Sequence, residues 1–406
     1  MTQTRRTTQP PVADVAIIGA GVMGLSVASA AVRAGLAAVL VEPIGLGAEA
    51  SGTPLAALMP HLPGVAPPTP EQRFQLDALA GLHGHVSRLQ DETGLDVGYA
   101  RCGRVIPIHT EGFRRRADQA AEGAARHWAA MRTWGIEPRP TLSVVAPDAC
   151  SAVPDWLRLG ASLEAVVVET LSARIDGRAY LEALARAFER RGGRILTATA
   201  HIWRADRHVL EDPEGTPIVA AGALVLAAGA QSYTFAARHG WPLEGRAVKG
   251  QALAVSVLRP DRKTRRGRLI RPLIFDRGLY VVERTDGSLA IGSTTETTFK
   301  NAAPDVAATD ALLARARGLC VPLAEAPAEA LVINRWAGLR PRARRGGPQI
   351  GLVDQTARVY AATGGYKISF GIAHAAADAI VEQIVTGEPS PGLPSEFAPL
   401  PRGSRR

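Results

Sequence analysis

Residues 14–43 read DVAIIGAGVMGLSVASAAVRAGLAAVLVEP, and they carry the signals of a strand, a glycine turn, a helix and a second strand in that order. The β-branched run Val15–Ile18 predicts a short buried strand. The Ala-rich segment Leu25–Arg33 predicts a helix, and Gly35 stands where a glycine commonly ends one. Ala38–Val41 predicts the second strand. This order is typical of the first unit of an α/β dinucleotide-binding fold.

The turn between the first strand and the helix has the spacing of a phosphate-binding loop, with glycines at Gly19, Gly21 and Gly24. Glycine lets the backbone approach a pyrophosphate, and the helix N-terminus offers free N–H groups and a positive dipole. Glu42 ends the second strand, where a carboxylate can accept hydrogen bonds from a ribose. Because this acid would repel the extra phosphate of NADP, the motif favours NAD or FAD and leaves the two open.

The composition is that of a globular chain long enough for two domains. Of the 406 residues, 46% are hydrophobic and 21% charged, which excludes a disordered protein. The formal charge of +9 suits an anionic partner, but the basic clusters contain no interleaved aromatic residues, so arginines spread over a solvated surface are favoured. Binding to nucleic acid is disfavoured and stays open. No apolar run reaches the ~18–20 residues of a spanning helix, and we expect a cytoplasmic protein.

The three cysteines, Cys102, Cys150 and Cys320, are odd in number and far apart. No Cys or His residues have the spacing of metal ligands. The sequence therefore predicts neither a disulfide framework nor a metal site, and it favours a reducing compartment.

The rest of the chain alternates between helical and extended patterns. It predicts helices over 71–95, 111–134, 305–318 and 371–385, and strands over 97–108 and 163–169. Residues 223–232, ALVLAAGAQS, predict a buried strand that ends in a glycine turn at Ala228 and Gly229. In a two-domain flavoprotein, such a strand returns beside the first glycine turn, and its position past the middle of the chain favours FAD over NAD. Alternating strands over 247–299 complete an α/β fold with two interleaved domains, a Rossmann-like nucleotide-binding domain and an antiparallel β-rich domain.

Four further stretches carry a resemblance to a known family. They are EASGTPLAALMP at 49–60, VKGQALAV at 248–255, YVVERTDGSLAIGSTTE at 280–296 and RWAGLRPRARRGGPQIG at 335–351. With the glycine turn, they resemble the D-amino-acid-oxidase-type family of FAD-dependent oxidoreductases, in particular glycine oxidase and sarcosine-oxidase-like amine oxidases. The resemblance covers roughly residues 14–386. It implies bound FAD and oxidation of the C–N bond of a small amino acid or secondary amine by hydride transfer to the flavin N5.

The resemblance also implies how the chain divides between the two domains. We expect a discontinuous FAD-binding domain of residues 12–85, 171–238 and 335–390, a substrate-binding domain of 86–170 and 239–334, and flexible tails at 1–11 and 391–406.

Two residues match substrate-binding positions of the family. Arg340, in AGLRP, matches an arginine that holds the substrate carboxylate, and a planar guanidinium suits that role because it binds a carboxylate bidentately. The alternative is a packing arginine paired with an internal acid. Tyr280 matches a tyrosine that reaches the substrate carboxylate or amine, or it is an ordinary half-buried strand tyrosine.

The segment GGYKISFG near the C-terminus resembles the family's last glycine turn, which precedes a helix that points at the flavin. Gly364 and Gly365 form the turn, Tyr366 follows it, and Lys367 stands just before the helix. The helix N-terminus would stabilise the negative charge of the reduced flavin. In sarcosine-oxidase-like members, a lysine here helps to hold the substrate carboxylate. The alternative is a lysine directed to solvent.

Two departures from the family pattern bear on the cofactor and the substrate. The segment around Ser51 and Gly52, expected to contact the cofactor, has no histidine, and GLRP has no cysteine nearby, so we expect non-covalent FAD. His61 is interpreted as a loop histidine rather than a flavin anchor. Thr295 stands where glycine-oxidase-like members have a methionine, which predicts an altered pocket.

Several functional alternatives stay open at this stage. A flavoenzyme that modifies tRNA fits the positive charge, and a 2-hydroxy acid dehydrogenase belongs to the same superfamily. The electron acceptor is oxygen or else a quinone or an electron-transfer protein. The basic segment 262–271 is interpreted as a solvated loop.

Overall fold

The computed structural model describes residues 10–130, 138–150, 155–158, 163–257, 270–324, 326 and 332–399. The strands in these ranges are β1 Val12–Ile18, β2 Ala38–Val41, β3 Ala57–Leu58, β4 Arg104–Ile108, β5 Leu142–Val145, β6 Ala165–Glu169, β7 Ala173–Arg174, β8 Arg194–Leu196, β9 Ile202–Arg204, β10 Val209–Glu211, β11 Pro217–Leu226, β12 Gly245–Val255, β13 Leu273–Asp276, β14 Leu279–Glu283, β15 Leu289–Gly292, β16 Val332–Ala343, β17 Gln349–Asp354 and β18 Val359–Thr363. The helices are α1 Val22–Arg33, α2 Pro70–Thr93, α3 Glu111–Ala130, α4 Gly177–Arg190, α5 Gln231–His239, α6 Val306–Arg317, α7 Val321–Ala324 and α8 Ser369–Thr386.

The first sheet has the order β17-β18-β11-β1-β2-β8, with β10 added to β11 and β9 to β10. The strands from β18 to β8 are parallel, and β17 is antiparallel. Helices α1, α2, α4 and α8 cover one face in a continuous apolar cluster. A second cluster, which includes Trp203, Phe235 and Trp241, covers the other face. A parallel sheet buried on both faces is the architecture that the α/β pattern predicts.

The second sheet has the order β16-β12-β15-β14-β13-β4-β6-β5 and is antiparallel except for the β13–β4 pair. One apolar cluster packs α6 against it, and another packs α3. The prediction of an α/β chain with an antiparallel β-rich part is confirmed.

Strand β16 pairs with β12 along almost its whole length, from Val332 to Ala343. The strand therefore belongs to the second sheet, although the predicted boundary at residue 335 assigned most of it to the FAD-binding segments. The boundary between residues 85 and 86 falls inside α2. The division of the chain into two domains remains a proposal.

Two predictions from local patterns were wrong in part. The strand expected over 97–108 is confined to β4, because Gly98 and Gly103 have positive φ values of 64° and 70° that interrupt an extended run. The tail expected to be flexible from residue 391 contacts the rest of the fold through Phe397. Phe397 is only 1% exposed and packs edge-to-face on Phe74 at 5.4 Å.

Other predicted segments fall outside the described residues. These are 1–9 and 400–406 of the tails, 131–134 of the predicted third helix, and 262–269 of the basic segment. None of the helices in the described ranges combines the length and the apolarity needed to cross a membrane.

Candidate active site

The glycine turn lies between the end of β1 and the start of α1. Gly19 has a φ of 105°, and a Cβ there would lie 2.7 Å from the carbonyl oxygen of Ala227, so the turn is packed directly against the end of β11. Gly24 allows equally close packing, because its Cβ would lie 1.9 Å from the carbonyl oxygen of Gly19. The two glycines thus allow the N-terminus of α1 and the end of β11 to lie close together.

Glu42 follows β2 at the same edge of the sheet. Its Oε2 accepts a hydrogen bond from the Ala20 N–H at 2.9 Å, and its Oε1 accepts one from the Ile44 N–H at 2.9 Å. The carboxylate is therefore held beside the glycine turn, where its remaining lone pairs can accept hydrogen bonds from a ribose. Ser51 is also held at the turn, since its Oγ accepts the Val22 N–H at 3.0 Å.

A cavity of about 1110 Å³ extends from this turn to the second sheet. It exceeds the roughly 300–1,000 Å³ of a typical small-molecule pocket, so it has room for a large cofactor and a small substrate. The lining includes these predicted cofactor residues: Gly19, Gly21, Glu42, Ser51, Ala228, Gly229, Gly365, Tyr366 and Lys367.

The donor set of this cavity fits FAD. A glycine turn with a helix N-terminus suits the pyrophosphate, and Glu42 suits the ribose. At the other end, Ser369 and Phe370 in the first turn of α8 line the cavity, which places a second helix N-terminus there. A positive helix terminus suits the pyrimidine end of a flavin.

Arg340 projects from β16 into this cavity. Its Nη1 donates to the carbonyl oxygen of Thr294 at 3.0 Å, and no carboxylate among the described residues lies within ion-pair distance. Gly250, on the facing strand, leaves the space for it: a Cβ at Gly250 would lie 2.0 Å from the guanidinium carbon. Burial lowers the pKa of Arg340, opposed by Tyr366, Tyr280 and Glu296.

Tyr280 lines the same cavity from β14, with its ring centroid 4.8 Å from that of Phe275. Burial raises the pKa of Tyr280, and the charges of Arg104 and Arg340 lower it in part. The phenol is therefore neutral, and its hydroxyl can both donate and accept.

Lys367 is brought to Arg340 by a backbone contact between distant segments. The Tyr366 N–H donates to the carbonyl oxygen of Pro341 at 3.2 Å, which ties the last glycine turn to β16. The Lys367 Nζ lies 5.6 Å from the Tyr366 ring centroid. Lys367 is exposed at the cavity mouth. Its pKa is lowered, mainly because the ammonium is partly buried and to a smaller extent by the charges of Arg340 and Arg342.

Four residues singled out in the sequence do not line the cavity. Gly24, Gly52 and Gly364 occupy tight backbone positions beside it, and Gly364 has a φ of 78° that favours glycine. Thr295 is exposed and is not among the residues that line the cavity, and its effect on the pocket remains a prediction. The functional roles assigned to the lining residues remain predictions.

Two residues line the cavity although the sequence did not predict a role in the site for either of them. Arg104 on β4 is only 4% exposed, and nothing in its local sequence distinguishes it from a surface arginine. His61 also lines the cavity, and its Nδ1 lies 3.0 Å from the Gln75 Oε1. The Gln75 amide nitrogen donates to the Met59 carbonyl oxygen at 3.1 Å, so its Oε1 faces His61 and the His61 Nδ1 carries the hydrogen.

Comparisons with known proteins identify the family and the fold. The family model described as FAD dependent oxidoreductase matches residues 14–383. A glycine oxidase of Pseudomonas aeruginosa is 28% identical over 393 residues, covering 96% of this chain and 99% of that protein. The structure of glycine oxidase from Geobacillus kaustophilus has a TM-score of 0.79 at 22% identity, covering 96% of this chain and 99% of that one.

An iminodiacetate oxidase from Chelativorans sp. BNC1 has the same fold, with a TM-score of 0.79 at 21% identity over 95% of this chain and 98% of that one. The prediction of an FAD-dependent enzyme of this fold is confirmed. Because the family model matches most of its length, this chain belongs to the FAD-dependent oxidoreductases of the D-amino-acid-oxidase type.

Proposed function

We propose that the protein oxidises the C–N bond of a small amino acid or secondary amine. The observation that carries the proposal is the guanidinium of Arg340, which lies in the wall of the cofactor cavity with no carboxylate partner among the described residues. A buried cation is costly unless it is paired, and a substrate carboxylate would supply the partner. The relatives named glycine oxidase and iminodiacetate oxidase support this class of substrate.

In this proposal, Arg340 fixes the substrate carboxylate. The bond from its Nη1 to Thr294 holds the guanidinium in place, and the remaining N–H groups are available for a bidentate contact. Lys367 adds a second positive charge at the cavity mouth, and Tyr280 offers a hydroxyl to the carboxylate or the amine. Orientation of the reacting carbon is the main contribution of such contacts.

When bound, FAD would accept the hydride of the substrate, which carries both electrons of the oxidation. The chain's own residues bind the anionic end of the substrate and keep the amine near the flavin. The N-terminus of α8 would stabilise negative charge on the reduced ring system. The electron acceptor, the domain boundaries and the cytoplasmic location stay predictions, as does the non-covalent attachment of FAD.

The test is the visible spectrum of the FAD-loaded protein under argon, while amino acids, N-methyl amines and 2-hydroxy acids are added one at a time. Bleaching by amino acids or amines supports the proposal. Bleaching by hydroxy acids alone would replace it with the dehydrogenase alternative. A yellow protein that none of these bleaches, but that binds tRNA in a salt-sensitive way, would favour the RNA-modifying alternative.

A further inference from the structure

The cavity wall contains a second buried guanidinium that the proposed reaction does not use. Arg104, on β4, is 4% exposed and lines the cavity together with Tyr280 on β14. The two strands lie in the same sheet on either side of β13. Arg104 therefore faces the part of the cavity that is formed by the second sheet.

The terminal nitrogens of Arg104 make only weak hydrogen bonds within the protein. Its Nη2 lies 3.3 Å from the Pro60 carbonyl oxygen, and its Nη1 lies 3.6 Å from the Met59 sulfur. Strong hydrogen bonds from a charged nitrogen to an oxygen are shorter, about 2.7–2.9 Å, and a thioether is a poor acceptor. The outer edge of the guanidinium thus retains donor capacity.

Arg104 does have an acidic neighbour, because its Nε lies 3.2 Å from the Glu169 Oε2. That carboxylate is already stabilised by other donors. The Ser172 N–H donates to it at 2.6 Å, the Ser172 hydroxyl at 2.5 Å, and the Leu171 N–H also donates. Three donors from Leu171 and Ser172 therefore share Glu169, and the Arg104 Nε lies near this carboxylate without a hydrogen bond to it, so the outer edge of the guanidinium has no carboxylate partner.

The charges of Arg104 and Arg340 act on the same part of the cavity. Burial raises the pKa of Tyr280, and the charges of Arg104 and Arg340 both oppose that rise, so both lie within electrostatic range of one phenol. Lys367 adds a third cation to the lining. The lining acids Glu42, Glu49 and Glu71 form no ion pair with these cations among the described residues. Glu169 lies beside Arg104 and the charge of Glu296 acts on Arg340, but neither acid lines the cavity, so both guanidiniums keep donors for substrate carboxylates.

We propose that Arg104 forms a second carboxylate subsite, so that the preferred substrate is an amine with two carboxylate groups. Arg340 holds the carboxylate next to the reacting carbon, and the outer edge of Arg104 binds the more distant one. The inference rests on the proposed function, which it narrows from small amino acids to amino dicarboxylates.

The first experiment uses the unaltered FAD-loaded protein and anions that cannot be oxidised. Succinate and butyrate have the same chain length but carry two carboxylates and one. We expect succinate to perturb the flavin spectrum with at least about tenfold lower Kd than butyrate, because a second charged contact is made. Equal Kd values for the two anions would overturn the subsite.

The second experiment removes both charges of the buried pair in the double variant Arg104→Met/Glu169→Gln, which leaves no unpaired ion in the core. We expect it to lose the preference for succinate while it still binds butyrate as the parent does. Arg101→Met, a nearby arginine that does not line the cavity, is the control and should keep the preference. A double variant that folds, keeps its flavin and retains the preference would refute the proposal.

The outcomes separate this inference from the proposed function. Anaerobic flavin reduction by D-alanine or sarcosine, at a rate equal to that with aspartate, would leave amine oxidation standing and reject the second subsite. Absence of reduction by every amine, with succinate still preferred in binding, would support the subsite and reject amine oxidation.

Discussion

Replacement of Arg340 by methionine should weaken substrate binding strongly without harming the fold. Methionine keeps much of the apolar volume but removes the charge and the fork of donors. Two charge-assisted hydrogen bonds to a carboxylate would each contribute roughly 1.5–3 kcal/mol, and the Thr294 carbonyl already occupies part of the fork. We therefore expect a loss of about 3 kcal/mol, which is on the order of 100-fold in the Kd for the substrate.

The assay is anaerobic flavin reduction at increasing substrate concentration, from which an apparent Kd and a limiting rate are obtained. Arg344→Met is the matched control, because Arg344 is exposed and pairs with Glu244 at the surface. The variant Arg340→Met should retain its flavin and should unfold at the same temperature or a higher one, since a desolvated cation without an ionic partner is removed. An unchanged Kd for an amino-acid substrate would refute the assignment of Arg340.

Three further predictions concern the space around Arg340, two buried histidines and the attachment of the flavin. Gly250→Ala should displace the Arg340 guanidinium, whose carbon lies 2.0 Å from the new Cβ, and should weaken substrate binding about as much as loss of the arginine; parental binding would contradict this. Burial lowers the pKa of His85 to about 4 and that of His374 to about 3. Near pH 5 these two imidazoles are therefore protonated in the unfolded chain and neutral in the folded one. The free energy of unfolding in urea should therefore fall from pH 7 to pH 5 by on the order of 2 kcal/mol for each imidazole, and His374→Leu should reduce the slope; equal slopes would contradict it. Acid precipitation should release all the flavin, whereas a coloured pellet would indicate covalent attachment, with His61 the first residue to test.

Local signals predicted the dinucleotide unit well. The expected Val15–Ile18, Leu25–Arg33 and Ala38–Val41 correspond to β1, α1 and β2, and β2 has the predicted bounds. Each of these elements depends on a short periodic run and on glycines whose role is set within a few residues. The prediction over 97–108 failed because two glycines with positive φ interrupt the extended pattern.

The residues around the substrate region could be predicted only in part. Arg340 and Lys367 were identified through the resemblance of their motifs, but their proximity depends on the hydrogen bond between Tyr366 and Pro341. Arg104 gave no local signal, because its burial is set by the pairing of β4 with β6 and β13. Pairing between distant strands is not encoded in any short window of sequence.

The sequence by itself determined the cofactor-binding unit and the family of this protein, since glycine spacing, strand patterns and extended motifs are local properties of the chain. Only the tertiary structure decided which cations share the cavity, and that Phe397 packs against Phe74. The physical reason is that both effects depend on contacts between residues far apart in the chain. Electrostatic interaction depends on distance in space, and the burial of an aromatic ring depends on the surface against which it packs.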